Sequence, residues 1–446
     1  MNIFIVGGGS VGALTAEYFC KEGHDITIIE HDARRVKALQ DQFDVRVVEG
    51  KGTDAALLND SGLKEAQLFL ALTDHDETNI IACTLAKFAG VPRRIARISD
   101  AQFMGQDRIL SLRDLGVDEV VNTSDSLTQE ILQFVEFPGM ADIKYFLDRK
   151  IAVVKFGFGK NSSHYGKALG DIRLPGTTQT LGCAQVGGFR PFDPAATVNE
   201  FLYGYFACEA AQLGELHRNL AAGTQAINRV MIYGGGYKTR FMGGDLGLAL
   251  KARGVSTVEL IEEQEEEAKV LSARYPFKVL LDAPSTPHFA RTGNLEGLDL
   301  FIGISPNFEK SLYACAVAHR QGAPFTLALV RYPEHTAFVS AIPLTTFLNP
   351  AIVTANKILK YHQADTIISR SILEYTQSEC MEVLVTQSGR LAGMTLGDIK
   401  FGASRCLGIL RDQQLLEPTN TLMLQVRDRA LFMIDNSDAE HFRSLF

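Results

Sequence analysis

The residues best suited to chemistry in this 446-residue chain are three glycines and an acid near its start. Gly7, Gly9 and Gly12 follow a β-branched apolar run (Ile3 to Val6) and open an amphipathic stretch, and Glu30 closes the next apolar run. In a strand-to-helix turn the first glycine permits a tight bend. The second lets a diphosphate approach the backbone, and the third lets helix pack on strand. A carboxylate 18 residues beyond Gly12 suits the hydroxyl pair of an adenosine ribose, and Asp32 is a second candidate for that task. An acid there repels a 2′-phosphate, which favours NAD-type or adenosine nucleotides over NADP, although Arg34 and Arg35 lie close enough to weaken the preference. The plainer reading has the glycines only shaping a turn and Glu30 solvated at a helix start. Strand, loop, helix and acid together favour a nucleotide.

Two further loops would close over the same crevice. In GKGTD (Gly50 to Asp54) Thr53 would line an adenine pocket, and TDHDETN (Thr73 to Asn79) brings Asn79 to a helix start. Helix capping by Thr53 or Asp76 accounts for these loops equally well. Arg97 ends a later strand on the same edge, suited to a phosphate or to a surface ion pair.

The elements that would position these residues alternate. Strands are expected near Ile3–Val6, Ile26–Ile29, Val45–Val48, Leu68–Leu72, Ile95–Arg97 and Glu119–Val121, each followed by a helical pattern, the best being Glu77–Ala89. That alternation predicts a doubly wound, Rossmann-like parallel sheet. From about Ala141 short strands with turn signals take over. The pattern then restarts at RVMIYGGGYKTR (Arg229 to Arg240), with strands near Val230–Tyr233, Val258–Ile261, Val279–Leu281, Leu300–Ile304 and Phe325–Leu329. Register shows a duplication, because true repeats hold a constant spacing. Glu30 and Glu262, Cys83 and Cys315, and FLALT and FIGIS (Phe69, Phe301) all lie 232 residues apart, while Gly7 and Gly234 and the two LGDI segments (Leu169, Leu396) lie 227 apart. The fold class is therefore α/β, two Rossmann-like domains each followed by a small α+β domain. Residues 1–136, 141–225, 228–365 and 370–446 are the expected domains. In the second copy Thr239 stands where the third glycine belongs, with about five inserted residues around Met242-Gly243-Gly244, so a second nucleotide site is expected to be weakened or lost and that copy kept as a structural partner.

Composition limits the alternatives. With 46% hydrophobic and 22% charged residues the chain is expected to fold throughout, and net charge −8 gives no general attraction to nucleic acid or anionic bilayers. Seven cysteines without paired or Cys/His ligand spacing point to reduced thiols and to no metal site. The uncharged start IFIVGGGSVGALTA lacks a basic residue before it, so it reads as a glycine turn rather than a leader, and no run reaches the ~20 apolar residues of a spanning helix. GFGKNSS (Gly157 to Ser163) fails as a P-loop because Val154 stands at the first glycine position and Asn161 follows the lysine. His75 and His164 are the nearest candidates for a base, and no triad, carboxylate pair or metal-ligand set accompanies them. The chain is not expected to be an enzyme.

IFIVGGGSVG…IIEHD, VRVVEGKGTD, LALTDHDETNIIACTLAK, RIARI and GKALGDIRLP together resemble the RCK or KTN ligand-sensing family, in the tandem arrangement of its TrkA potassium-uptake branch. The resemblance implies an N-terminal Rossmann lobe and a small C-terminal (RCK-C-like) lobe, twice. It implies a cytoplasmic homo-oligomeric gating ring, peripheral on the inner face of the cell membrane, beneath a TrkH-like potassium channel or transporter subunit. NAD(H) or ATP/ADP would act as effectors rather than substrates. Carried to this sequence, the nucleotide contacts fall on Gly7, Gly9, Ser10, Val11, Gly12, Glu30, Asp32, Thr53, Thr73, Asn79 and Arg97. The LGDI segments carry no effector-ion site across. The competing functions are a soluble NAD-dependent oxidoreductase using the second half as substrate domain, and a free cytoplasmic nucleotide sensor with a non-membrane partner.

Overall fold

The computed structural model describes all residues except 22, 101–102, 104–110, 159–161, 186–187, 200–202, 223–224, 235–242, 285, 287–288, 290–294, 331–345, 362–365, 374–377 and 446. The described residues form four sheets, two parallel and two antiparallel. The first parallel sheet contains β1 (Asn2–Val6), β2 (Asp25–Glu30), β3 (Arg46–Glu49), β4 (Leu68–Ala71), β5 (Arg93–Arg97) and β6 (Glu119–Val121), in the order β3-β2-β1-β4-β5-β6. Its crossover helices are α1 (Ser10–Lys21), α2 (Ala33–Gln42), α3 (Ala55–Asp60) and α4 (Asp76–Phe88), with α5 (Thr123–Glu136) after β6. β4 is buried on both faces, as a central parallel strand covered by helices must be. Phe69 stacks on Phe4 beneath these helices with ring centroids 5.8 Å apart, both rings buried, each removal from water contributing about 2 kcal/mol.

The strand order reverses between β1 and β4. Loops at the carboxyl ends of these two strands therefore diverge to opposite faces and leave a crevice, the place where doubly wound sheets take ligands.

The second parallel sheet repeats this order, with β12 (Arg229–Tyr233), β13 (Thr257–Glu262), β14 (Lys278–Leu281), β15 (Leu300–Gly303), β16 (Phe325–Leu329) and β17 (Thr346–Leu348). Its register matches the duplication, since Val6 pairs with Ala71 and Tyr233 with Gly303. Its helices are α7 (Gly243–Ala252), α8 (Glu265–Arg274) and α9 (Phe308–Arg320), with α10 (Pro350–Tyr361) after β17.

Each antiparallel sheet has five strands among the described residues. One comprises β7 (Met140–Phe146), β8 (Ile151–Gly157), β9 (Gln179–Gln185), β10 (Gly188–Pro191) and β11 (Tyr203–Glu209), followed by α6 (Leu213–Leu220). The other comprises β18 (Ile367–Ile372), β19 (Ser378–Leu384), β20 (Arg405–Arg411), β21 (Gln414–Leu416) and β22 (Arg429–Asp435), with α11 (Ala439–Arg443) behind it. The two LGDI segments form matching single 3₁₀ turns at Leu169–Asp171 and Leu396–Asp398, each burying its leucine. The two sheets share one core, in which Ile151, Val153, Tyr205 and Ala207 meet Leu407, Leu410, Leu431 and Met433.

The chain divides into two compact units, residues 1–127 with 349–361, and residues 128–348 with 362–446. Helix α10, which follows the sixth strand of the second parallel sheet in sequence, thus belongs to the first unit, where it packs on α1 and β6. Conversely, the later turns of α5 belong to the second unit, where Phe134 meets Phe325 edge-on at 5.6 Å. No helix among the described residues is long and apolar enough to cross a membrane.

Candidate functional site

The glycine loop of the first unit is built by close backbone approach. Gly7 follows β1 with φ +102°, a conformation that excludes most side chains, and its N–H bonds the Ile29 carbonyl at 2.9 Å. A methyl group on Gly12 would stand 1.9 Å from the Gly7 carbonyl oxygen, so only glycine lets α1 start against β1. At Gly9, by contrast, a methyl group would meet nothing within 4 Å except Arg35 Nη1 at 3.9 Å. The loop is thus tight where helix meets strand and open at its middle glycine. Ser10 is exposed at the N-terminus of α1, next to buried Val11, where helix N–H groups without preceding acceptors favour an anion.

The two candidate acids divide. Glu30 is 2% exposed, its Oε2 accepts the Gly8 N–H at 2.6 Å, and its Oε1 accepts those of His31 (2.8 Å) and Asp32 (2.9 Å). The exposed His31 ring also places Nδ1 2.9 Å from Oε1. Glu30 therefore ties the glycine loop to the end of β2, with both oxygens already engaged. Asp32 instead caps α2 by accepting the Arg34 N–H at 2.9 Å, and that bond holds its solvent-accessible carboxyl below the usual range. Of the two, Asp32 presents a charge outward.

The remaining candidates lie along the same edge. Thr53 is exposed in the loop after β3, where neighbouring Gly52 lies against Val6, and Asp54 rather than Thr53 caps α3. Asn79 is fully buried and acts as a clasp. Its Oδ1 accepts the Thr73 N–H (3.0 Å) and hydroxyl (2.6 Å), while its Nδ2 donates to the carbonyls of Thr73 (3.1 Å) and Arg97 (2.7 Å). It fixes the ends of β4 and β5 together with its whole amide. Asp76 is not a cap either, since it is buried and its Oδ2 accepts the N–H groups of Ser99 (2.9 Å) and Asp100 (2.8 Å) beyond β5. Arg97 pairs with Asp74 at 2.9 Å and donates from Nε to Thr123 Oγ1 at 3.2 Å. Thr123 in turn shares a buried 3.0 Å hydrogen bond with Thr354 on α10, a link that no local sequence signal announces. His75 is exposed at the start of α4, and His164 bonds the Asn219 carbonyl at 2.6 Å in the other unit. Lys160 and Asn161 of the rejected P-loop lie outside the described residues.

An open middle glycine and an exposed helix start that can donate N–H groups to an anion, with an outward carboxylate that can accept from hydroxyls, have the chemistry that a diphosphate-bearing adenosine nucleotide requires.

The second copy corrects the sequence expectation about its third glycine. Thr239, like Gly236, lies outside the described residues, but the packing role passes to Gly243. A methyl group there would sit 2.9 Å from the Gly234 carbonyl oxygen and 3.4 Å from Ile232, as one on Gly12 meets Gly7 and Ile5. Gly243 lies four residues farther from Gly234 than Gly12 lies from Gly7, and close helix–strand packing is retained. Glu262 repeats Glu30, its Oε1 accepting the next two N–H groups at 2.8 and 3.1 Å. Ser311 replaces Asn79, and its buried hydroxyl makes no hydrogen bond.

Residues 3–123 match the TrkA-N domain family and residues 380–446 the TrkA-C domain family. The chain thus carries one TrkA-N match near its start and one TrkA-C match at its end. Trk system potassium uptake protein TrkA of Halomonas elongata is 26% identical over 463 residues, covering 100% of this chain and 98% of that protein. The protein of the same name from Vibrio alginolyticus is 24% identical at the same coverage, and a TrkA homolog of Archaeoglobus fulgidus is 25% identical with both chains fully covered. Among solved structures, the GsuK RCK domain superposes with TM-score 0.60 at 16% identity, covering 100% of this chain and 94% of that one. The GsuK channel bound to NAD gives 0.60 at 15% identity, covering 100% and 78%. At these identities the structural likeness concerns the fold, and it extends along the whole chain.

Proposed function

We propose that the chain is a nucleotide-sensing regulatory subunit of a potassium uptake channel or transporter. The observation that carries this reading is that TrkA relatives named for potassium uptake align over the full chain, while the glycine loop keeps its open middle position beside an outward acid. NAD(H) or ATP/ADP is the effector. Gly7 to Gly12 receive the diphosphate, Asp32 the ribose hydroxyls, Thr53 the adenine side and Arg97 a phosphate, while Glu30, Thr73 and Asn79 hold the loops that carry them.

A nucleotide shifts a conformational equilibrium only through a different affinity for two states. Arg97 supplies the physical link, because its guanidinium is shared between the crevice edge and the Thr123–Thr354 hydrogen bond to α10. A phosphate drawn to Arg97 competes with Asp74 and alters that link. Chains assemble as a homo-oligomeric ring on the inner face of the membrane, against a TrkH-like subunit. Regulation rather than catalysis fits relatives named for transport, and no observation favours the oxidoreductase.

The test is to tag the chain, solubilise host membranes gently, and identify what co-purifies with and without NADH or ATP. Recovery of a potassium-transport membrane protein, in an amount that nucleotide changes, is expected. Recovery of the chain alone would contradict the proposal.

A further inference from the structure

The second parallel sheet has the same reversal of strand order as the first, here between β12 and β15, and its glycine helix still packs closely on its strand. What differs is the crevice itself. Tyr233, the last residue of β12 and 2% exposed, donates its hydroxyl to Glu263 Oε1 at 2.6 Å. Glu263 follows β13, and its Oε2 takes Lys310 Nζ at 2.5 Å. Lys310 stands in the first turn of α9, whose start is fixed by Asn307 Oδ1 accepting the Lys310 N–H at 2.9 Å.

These three side chains run from the loop beyond β13, over the end of β12, to the helix that follows β15. They span the reversal point, and a dinucleotide laid across the sheet edge would have to displace them. In the first unit the same places hold Val6, His31 and Thr78, at spacings of 227 and 232 residues, and none of these can form such a bridge. The bridge also has the wrong charge for an anion. Displacing Lys310 would leave the Glu263 carboxylate beside Glu262 and the acidic first turn of α8, facing the diphosphate. Burial, then the Glu263 carboxylate, pushes the Tyr233 phenol well above its ordinary value, so it remains a donor throughout the physiological range.

We propose that the Tyr233–Glu263–Lys310 bridge closes the second crevice to nucleotides, so that each chain carries one nucleotide, in its first unit, and the second lobe serves as a braced partner. This rests on the nucleotide-sensing reading above for the first lobe.

The experiment is equilibrium dialysis of the full chain with ADP and, separately, NAD⁺, followed by photolabelling with 2-azido-ADP and peptide mapping. One nucleotide per chain is expected, with label confined to peptides from residues 1–127. Two per chain, or label within 229–330, would overturn this inference and leave the first-lobe reading standing. No binding of either probe would overturn the first-lobe reading and the count of one together. The combined variant Tyr233→Val, Glu263→His, Lys310→Thr, which copies the first lobe, is expected to gain a second, weaker binding event with label in 229–330. If it folds by circular dichroism and still binds one, the bridge is not what excludes nucleotide.

Discussion

Glu30 and Asp32 stand two residues apart and do different work. Replacing Glu30 by alanine strips a buried acceptor from three backbone N–H groups, which is expected to cost about 2–3 kcal/mol of stability, read as a lower urea midpoint for the first unit. Replacing Asp32 by alanine removes one exposed cap and is expected to weaken nucleotide affinity by about tenfold in calorimetric titration. The reverse pattern, with affinity lost only at Glu30 in a fully stable protein, would exchange their roles. From spacing alone either acid fits the ribose. Which one turns inward is decided by the N–H groups that the glycine loop leaves in need of an acceptor, and these come together only in three dimensions. His217 gives a pH dependence at the same scale. Its Nε2 lies 3.1 Å from the Pro138 carbonyl oxygen, its ring meets Phe137 edge-on, and burial holds its pKa below the ordinary 6.5. The unfolded chain then takes up the proton first as pH falls. The stability contribution is complete above about 6.5 and declines below it. Urea titrations at pH 7.5 and 5.5 should show a loss on acidification that is smaller in His217→Gln.

Among the elements, strand and helix alternation was readable from sequence because parallel strands buried on both faces show as continuous apolar runs. Ten of the parallel strands lie where those runs and their turn signals place them, together with the strand Glu119–Val121. The three-residue β17 was not anticipated, being too short to show a period. Nor was the placing of α10, because its apolar face says that it must be covered and not by which sheet. That helix is held through Thr354, whose buried hydroxyl meets Thr123. Thr354→Val keeps the shape and leaves Thr123 with one partner fewer. Stability of the first unit should fall by about 1 kcal/mol, and the nucleotide-induced change in protease sensitivity near residue 361 should shrink. An unaltered digestion pattern would remove Arg97–Thr123–Thr354 as the link to α10.

At the scale of the whole molecule, duplication was legible as constant spacing, and the shared core of the two antiparallel sheets was not. That core is closed by a charged group. Glu382, 2% exposed, accepts the Leu147 N–H at 3.0 Å, the Ser369 hydroxyl at 2.9 Å and Arg429 Nε at 2.6 Å, while Arg429 also pairs with Asp148 at 2.6 Å. Leu147, Asp148 and Arg149 all adopt positive φ, so these bonds hold a turn that their side chains disfavour. Glu382→Ala takes one of two carboxylates from the half-buried Arg429 guanidinium and leaves the Leu147 N–H without its acceptor, and is expected to cost about 2 kcal/mol, seen as a lower calorimetric transition. A variant as stable as the parent would show that the packed faces suffice.

The most direct test of the central claim is potassium flux into proteoliposomes containing the co-purified membrane partner and this chain, titrated with NADH and with ATP. One of these nucleotides is expected to change the flux, with half-effect concentration raised about tenfold by Asp32→Ala and unchanged by Tyr233→Phe. Flux that ignores both nucleotides, or that responds identically when Asp32 is alanine, would contradict it.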